Sequence, residues 1–361
     1  MDTCSIDKKS DVILAAIHYL RSVEKEADTP PRDIKRLITQ SKKWDEEEID
    51  KWNMSLYINR MMEGETALLE YPGNQPEKNR FVVLTDAGLD HLVTADHVAF
   101  FDGRGMDGLM TVSWLAGLHP TIGVYVGVYL LALRHPVAVA RQVATLAGHE
   151  PGRLTLGVGV GGEDRHEMEV VGVDPATRGR RTDEALDVLR PLLAGEAVDH
   201  HGEFYEAPET VIRPAPVPPV PLTVGGRSDA AVRRAGRRGD GWLASWCSPR
   251  RFAEGVSIVE QTAADAGRTD VAWRHGYQIW VGLGDTPADG TAQLAPAMEK
   301  FYGAPYAGFE RYSPVGTPAD IAGWLRPYVD AGAVDFNLAP IAATDAERVA
   351  GAAEIRRLLL A

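Results

Sequence analysis

Cysteine is almost missing from this chain: Cys4 and Cys247 allow at most one disulfide and leave no thiolate cluster for a structural metal. No stretch approaches the roughly 18 uncharged apolar residues of a membrane span, so an integral helical membrane protein is excluded. The N-terminal residues do not read as a secretory leader either. The first twenty residues carry Asp2, Asp7, Lys8, Lys9 and Asp11 without an apolar core run, and a cytoplasmic location is expected. Positive charge is also short, with 38 Lys and Arg against 51 Asp and Glu, a net −13 that argues against clamping a phosphate backbone. What remains is ordinary globular composition, 45% apolar and 25% charged. Its 361 residues leave room for one large barrel or two ordinary domains.

Two further scarcities are local. Eight of the nine lysines precede residue 90 and only Lys300 follows, whereas only three of 36 glycines (Gly64, Gly73, Gly88) precede it. Arginine runs the opposite way: of 29 (38 minus nine), five precede residue 90. This change of composition marks a domain boundary near residue 88, giving domains 1–88 and 89–361.

In the first part, Val12, Ile13, Ala16, Ile17 and Leu20 form one apolar stripe, predicting a helix over 10–26. Pro30-Pro31 opens a second, with Ile34, Leu37 and Ile38 as its stripe, and a third runs from Trp44 through Ile49, Trp52, Leu56 and Ile58. Strand-like runs at Thr66–Tyr71 and Arg80–Thr85 flank the turn-rich 72–76. Three helices followed by a hairpin weakly resemble a winged-helix domain. Its third helix opens Asp45-Glu46-Glu47-Glu48, which repels phosphates and favours a structural or protein-contact role over nucleic acid.

From His91 onward, short β-branched runs alternate with amphipathic helices, the signature of repeated βα units around a parallel sheet. Strands are predicted at 91–96, 121–130, 154–160, 221–225, 241–246, 275–283 and 335–340. Helices are predicted at 136–147, 182–193, 229–238, 249–266 and 345–360. The fold class is therefore α/β, a TIM (β/α)8-type barrel one strand short. The gap would leave two open edges that recruit Phe81–Thr85, dimerise or loosen the sheet, and a homodimer is the expected assembly.

Thr94-Ala95-Asp96-His97-Val98, the strand Ile122–Leu130, and Gly157-Val158-Gly159-Val160-Gly161-Gly162-Glu163 follow one another in an order that resembles the bacterial luciferase-like oxidoreductase family. The likeness continues through Arg178-Gly179-Arg180-Arg181-Thr182-Asp183-Glu184, Gly225-Gly226-Arg227-Ser228 and Gly239-Asp240-Gly241-Trp242. It implies a barrel binding FMN or the deazaflavin coenzyme F-420 at the C-terminal ends of its strands, with a small organic substrate and hydride transfer or monooxygenation. Family members begin with a strand and helix before the segment matching residues 87–96, so the first βα unit is the missing one. The alternative function is a winged-helix DNA- or protein-binding module fused to an incomplete, inactive barrel.

Asp96 and His97 close a predicted strand, on the rim where barrels place chemistry. The resemblance makes His97 a catalytic proton donor or ring-orienting group and Glu163 a second catalytic acid; a loop histidine and a solvated carboxylate are the plain alternatives. Gly159, Gly161 and Gly162 thin a strand end so that a flat ring or phosphate can approach the backbone. Gly225-Gly226-Arg227-Ser228 combine a strand end, a cation and a helix N-terminus, which suits a phosphate. Asp96 and the Gly127-Val128 pair, where the family carries a non-proline cis peptide, complete the expected cofactor site. No metal site is expected, because neither His200-His201 nor His166-Glu167-Met168-Glu169 has helical ligand spacing.

Overall fold

The computed structural model describes residues 31–40, 49, 69–70, 83–84, 88–101 and 103–361. The chain divides into two compact units, Met1–Leu89 and Asp90–Ala361. In the first, helix α1 (Pro31–Gln40) buries Ile34, Leu37 and Ile38, the stripe read from the sequence. β1 (Leu69–Glu70) pairs antiparallel with β2 (Val83–Leu84). The helices expected at 10–26 and from residue 44 lie outside the described residues, apart from the buried Ile49.

The second unit is a parallel sheet wrapped by helices. Its main strands are β3 (His91–Thr94), β4 (Gly123–Leu130), β5 (Leu154–Gly159), β8 (Leu222–Gly225), β9 (Gly241–Ala244), β10 (Gly276–Leu283) and β12 (Asp335–Ile341), hydrogen-bonded in that order. All seven coincide with predicted strands. A two-residue strand, β11 (Val315–Gly316), adds to the end of β10. β6 (Val198–His201) and β7 (Glu206–Thr210) make a separate antiparallel hairpin. Between β12 and β3 no ladder forms among the described residues, so the expected gap falls there.

Of the segment Phe81–Thr85 suggested for this gap, the structure describes Val83–Leu84, which pairs antiparallel with Leu69–Glu70.

Helices α2 (Gly108–Leu118), α3 (Pro136–His149), the short α4 (His166–Glu169), α5 (Arg178–Leu193), α6 (Asp229–Arg238), α7 (Pro249–Asp265), α8 (Pro287–Tyr302), α9 (Pro318–Asp330) and α10 (Asp345–Leu360) complete the unit. The last three open alike. Thr286, Thr317 and Thr344 each cap the backbone N–H three residues on, and Asp289, Asp320 and Glu347 return a bond to the cap's own N–H. Strand and helix side chains such as Val126, Val143, Leu156, Leu189, Val224, Phe252 and Tyr328 share one core between sheet and helices. That packing holds the C-terminal strand ends as a rigid rim.

Candidate active site

At the end of β3, Asp96 is 1% exposed. Its carboxylate accepts from the Gly108 N–H (2.9 Å), the Leu130 N–H (2.8 Å) and both terminal nitrogens of Arg134 (2.7 and 2.9 Å). Burial pushes this carboxyl up, against the pull of Arg134 and the two backbone donors. These bonds make Asp96 a brace between the ends of β3 and β4 and the start of α2.

His97 follows, with a side chain 18% exposed. Its Nδ1 lies 3.2 Å from both carboxylate oxygens of Glu167, and its ring stacks on Phe100 at a centroid distance of 4.0 Å. Glu167, 3% exposed, also accepts from the Val98 N–H (2.6 Å) and the Ala99 N–H (3.3 Å). Sequence reading weighed Glu167 only as a metal ligand. Its sole trace there was an acid four residues beyond Glu163.

The Gly127-Val128 bond is cis, at the position singled out from the sequence. The Val128 side chain, half-buried, lies across the ends of β5 and β8. A Cβ on Gly159 would meet Val128 Cγ2 at 2.3 Å and one on Gly225 would meet Cγ1 at 2.7 Å. These two glycines therefore make room for Val128. Below it, Gly127 faces Gln278 and Asn337, whose Oε1 and Nδ2 are buried without hydrogen-bond partners among the described residues.

Gly161 and Gly162 turn the chain with φ of 67° and 116°, delivering Glu163 to the mouth. Across from it, Gly226 has φ 132°, and its carbonyl accepts from Trp242 Nε1 at 2.7 Å. Ser228 caps α6, its Oγ accepting from the Ala231 N–H. Between the two loops is a cavity of about 340 Å³ lined by Glu163, Arg227, Phe101, Trp246, Tyr302, Phe309 and Tyr312, among others. Glu163 and Arg227 are exposed and have no hydrogen-bond or ion-pair partner among the described residues. Tyr302 accepts from Trp280 Nε1 at 3.1 Å, and burial pushes its phenol up to about 12, so it stays neutral. His97 does not line this cavity. Phe100 stands between, packed on both His97 and Phe101.

The structure thus gathers Glu163, Gly225, Gly226, Arg227 and Val128 at one mouth and sets Asp96 and His97 beside it. The aromatic wall went unread in the sequence, because Trp246 follows β9 while Tyr302, Phe309 and Tyr312 lie between the end of α8 and β11, and nothing local joins the two groups.

A parallel α/β barrel with its free polar groups at the C-terminal strand ends defines a TIM-barrel enzyme scaffold. Within that class the chain belongs to the luciferase-like monooxygenase family, whose model matches residues 70–312. An F-420-dependent glucose-6-phosphate dehydrogenase of Beutenbergia cavernae is 35% identical over 199 residues, covering 51% of this chain and 59% of the relative. The chain spans about half the length of the curated relatives it matches. Solved structures under 25% identical share the fold. An F-420-dependent secondary alcohol dehydrogenase in complex with an F-420–acetone adduct aligns with a TM-score of 0.67 at 19% identity, covering 75% of this chain and 91% of that one. The oxygenating constituent of 3,6-diketocamphane monooxygenase from Pseudomonas putida, in complex with FMN, gives 0.59 at 18%, covering 75% and 88%.

Proposed function

We propose that residues 90–361 act as an oxidoreductase that binds coenzyme F-420 or FMN at the barrel mouth and works on a small organic molecule. The observation that carries this is the pair Arg227 and Glu163, a cation and a carboxylate without partners among the described residues, facing one aromatic-walled cavity in a barrel whose Gly127-Val128 peptide is cis. The related proteins are described as F-420-dependent or hold FMN, and the residues here fit either group. Arg227 and the capped N-terminus of α6 would hold a phosphate, where unpaired N–H groups and the helix dipole favour an anion. Val128 would support one face of a flat ring, and Trp246, Tyr302 and Phe309 would exclude water around it. When bound, such a cofactor supplies hydride transfer or, with oxygen, monooxygenation. Glu163 would hold or deliver a proton at its carboxylate, and His97 would act from beside the mouth through Nε2.

Titrating the full chain with each cofactor while following ring fluorescence tests the reading. Binding of at least one at micromolar concentration is expected, and no binding of either at tens of micromolar sinks it. Arg227→Ala should weaken binding about tenfold or more, the worth of a charge-assisted hydrogen bond. His97→Ala should leave affinity within about threefold and lower turnover. Gly226→Asp is a poorer probe of the phosphate, because a Cβ there would meet the Ala231 Cβ at 2.7 Å and the φ of 132° disfavours any side chain.

A further inference from the structure

Both carboxylate oxygens of Glu167 lie 3.2 Å from His97 Nδ1, but only Oε1 also accepts from the Val98 N–H at 2.6 Å and the Ala99 N–H at 3.3 Å. Oε2 has only one partner among the described residues, His97 Nδ1, at 3.2 Å. A carboxylate can only accept. The nitrogen facing it therefore carries a proton, and in the neutral ring the lone pair is left on Nε2, which makes no hydrogen bond among the described residues. The loop is further fixed at its far side, where Asp164 Oδ2 accepts from the Phe101 N–H at 2.6 Å and the Phe100 N–H donates to the Arg104 carbonyl at 2.9 Å. The ring itself is held flat on Phe100. Loop, ring plane and tautomer are thus determined together.

We infer that Glu167 is a positioning residue: its buried carboxylate holds His97 in the Nδ1–H tautomer and so makes Nε2 the acceptor that the site uses. This rests on the assignment of His97 to the reaction, although the tautomer itself can be read without any cofactor.

The test is Glu167→Gln in the full chain. Glutamine has one acceptor oxygen, and the two backbone N–H donors of Val98 and Ala99 claim it, which turns the amide NH2 toward His97 Nδ1. Nδ1 must then accept, and the proton moves to Nε2. Histidine-labelled ¹⁵N spectra at a pH where the ring is neutral read the tautomer directly. The expected result is Nδ1–H in the wild type and Nε2–H in the variant, with the Val98 and Ala99 amides protected from exchange in both. A wild type in the Nε2–H form, or the same tautomer in both proteins, overturns the inference. If Glu167→Gln fails to fold, the wild-type spectrum with His97→Gln as the assignment control still decides it. In the FMN and F-420 titrations, Glu167→Gln should bind within about threefold of wild type; a loss as large as that of Arg227→Ala would place Glu167 in the binding machinery and overturn its role through His97. Failure of both cofactors to bind the wild type would refute the proposed function while leaving the tautomer result standing.

Discussion

Asp96 accepts four bonds from three residues, Gly108, Leu130 and Arg134, and its removal takes away the buried partner of Arg134. Arg134 keeps one further acid, Asp107, at 3.1 Å. Breaking a buried pair from one side typically costs about 3–5 kcal/mol, because the other charge and the N–H groups stay dehydrated. Asp96→Ala should therefore lose about that much in chemical denaturation. A loss below about 1 kcal/mol would show that the brace is not needed. His275 supplies the opposite kind of residue-scale effect. Burial pushes its imidazole down to about 4, and Nδ1 accepts from the Trp242 N–H at 3.2 Å, so the folded ring is neutral. A folded value below the unfolded ~6.5 means that the unfolded chain takes up more protons as the solution is acidified. Stability should thus be full above pH ~6.5 and fall by on the order of 3 kcal/mol toward pH ~4. Thermal melts of wild type and His275→Asn, whose Oδ1 can accept the same N–H, should diverge in that window. Parallel curves would remove His275 from the account.

At the scale of elements, the seven strands were legible as short, largely apolar runs alternating with amphipathic helices. The stripe of α1 was legible from its helical spacing. What the pattern could not carry were contacts between distant elements. Gly159 and Gly225 are glycines because Val128, on a neighbouring strand, occupies the space of their side chains, and nothing local encodes that. Glu167 was passed over because its meaning depends on two backbone amides about 70 positions away. Glu184 is a similar case. From α5 it accepts the N–H groups of Phe204 and Tyr205, with His200 Nε2 at 3.2 Å, and so fastens the β6–β7 hairpin to the barrel. Burial raises this carboxyl, but those donors together outweigh it and hold it below the usual value. The sign follows: a depressed folded value gives stability that is present above the unfolded pKa of about 4.3 and lost as pH falls through the lowered one. Amide exchange at Phe204 and Tyr205 should accelerate on acidification below that range, before the core strands respond. Glu184→Gln should weaken this step, and an unchanged step would mean that the hairpin is held by other contacts.

For the barrel unit as a whole, the consequence of the missing strand is the seam between β12 and β3. Two side-chain bridges cross it where a ladder would be. His91 Nε2 lies 2.7 Å from Asn337 Oδ1 inside the barrel, and outside it Arg356 holds Asp90 through two bonds of 2.6 Å. The outer pair is exposed and should contribute no more than about 1 kcal/mol. The inner one matters more, since Asn337 is 1% exposed and already has an unpartnered Nδ2. His91→Ala should cost about 1–3 kcal/mol by stranding its oxygen as well. Neither bridge satisfies backbone groups. In a parallel sheet alternate residues aim their N–H to opposite sides, so about half the amides of β3 and β12 face the seam with no strand among the described residues to receive them. Hydrogen exchange on the full chain should then alternate along Leu92–Thr94 and Phe336–Leu338, fast and slow, while β4 and β5, paired on both sides, exchange slowly throughout. Uniform protection along β3 and β12 would mean that another strand covers the seam. Such protection would come from another part of the chain or from a second copy. Repeating the exchange across a dilution series separates those two, because only cover by a second copy is lost as the protein is diluted.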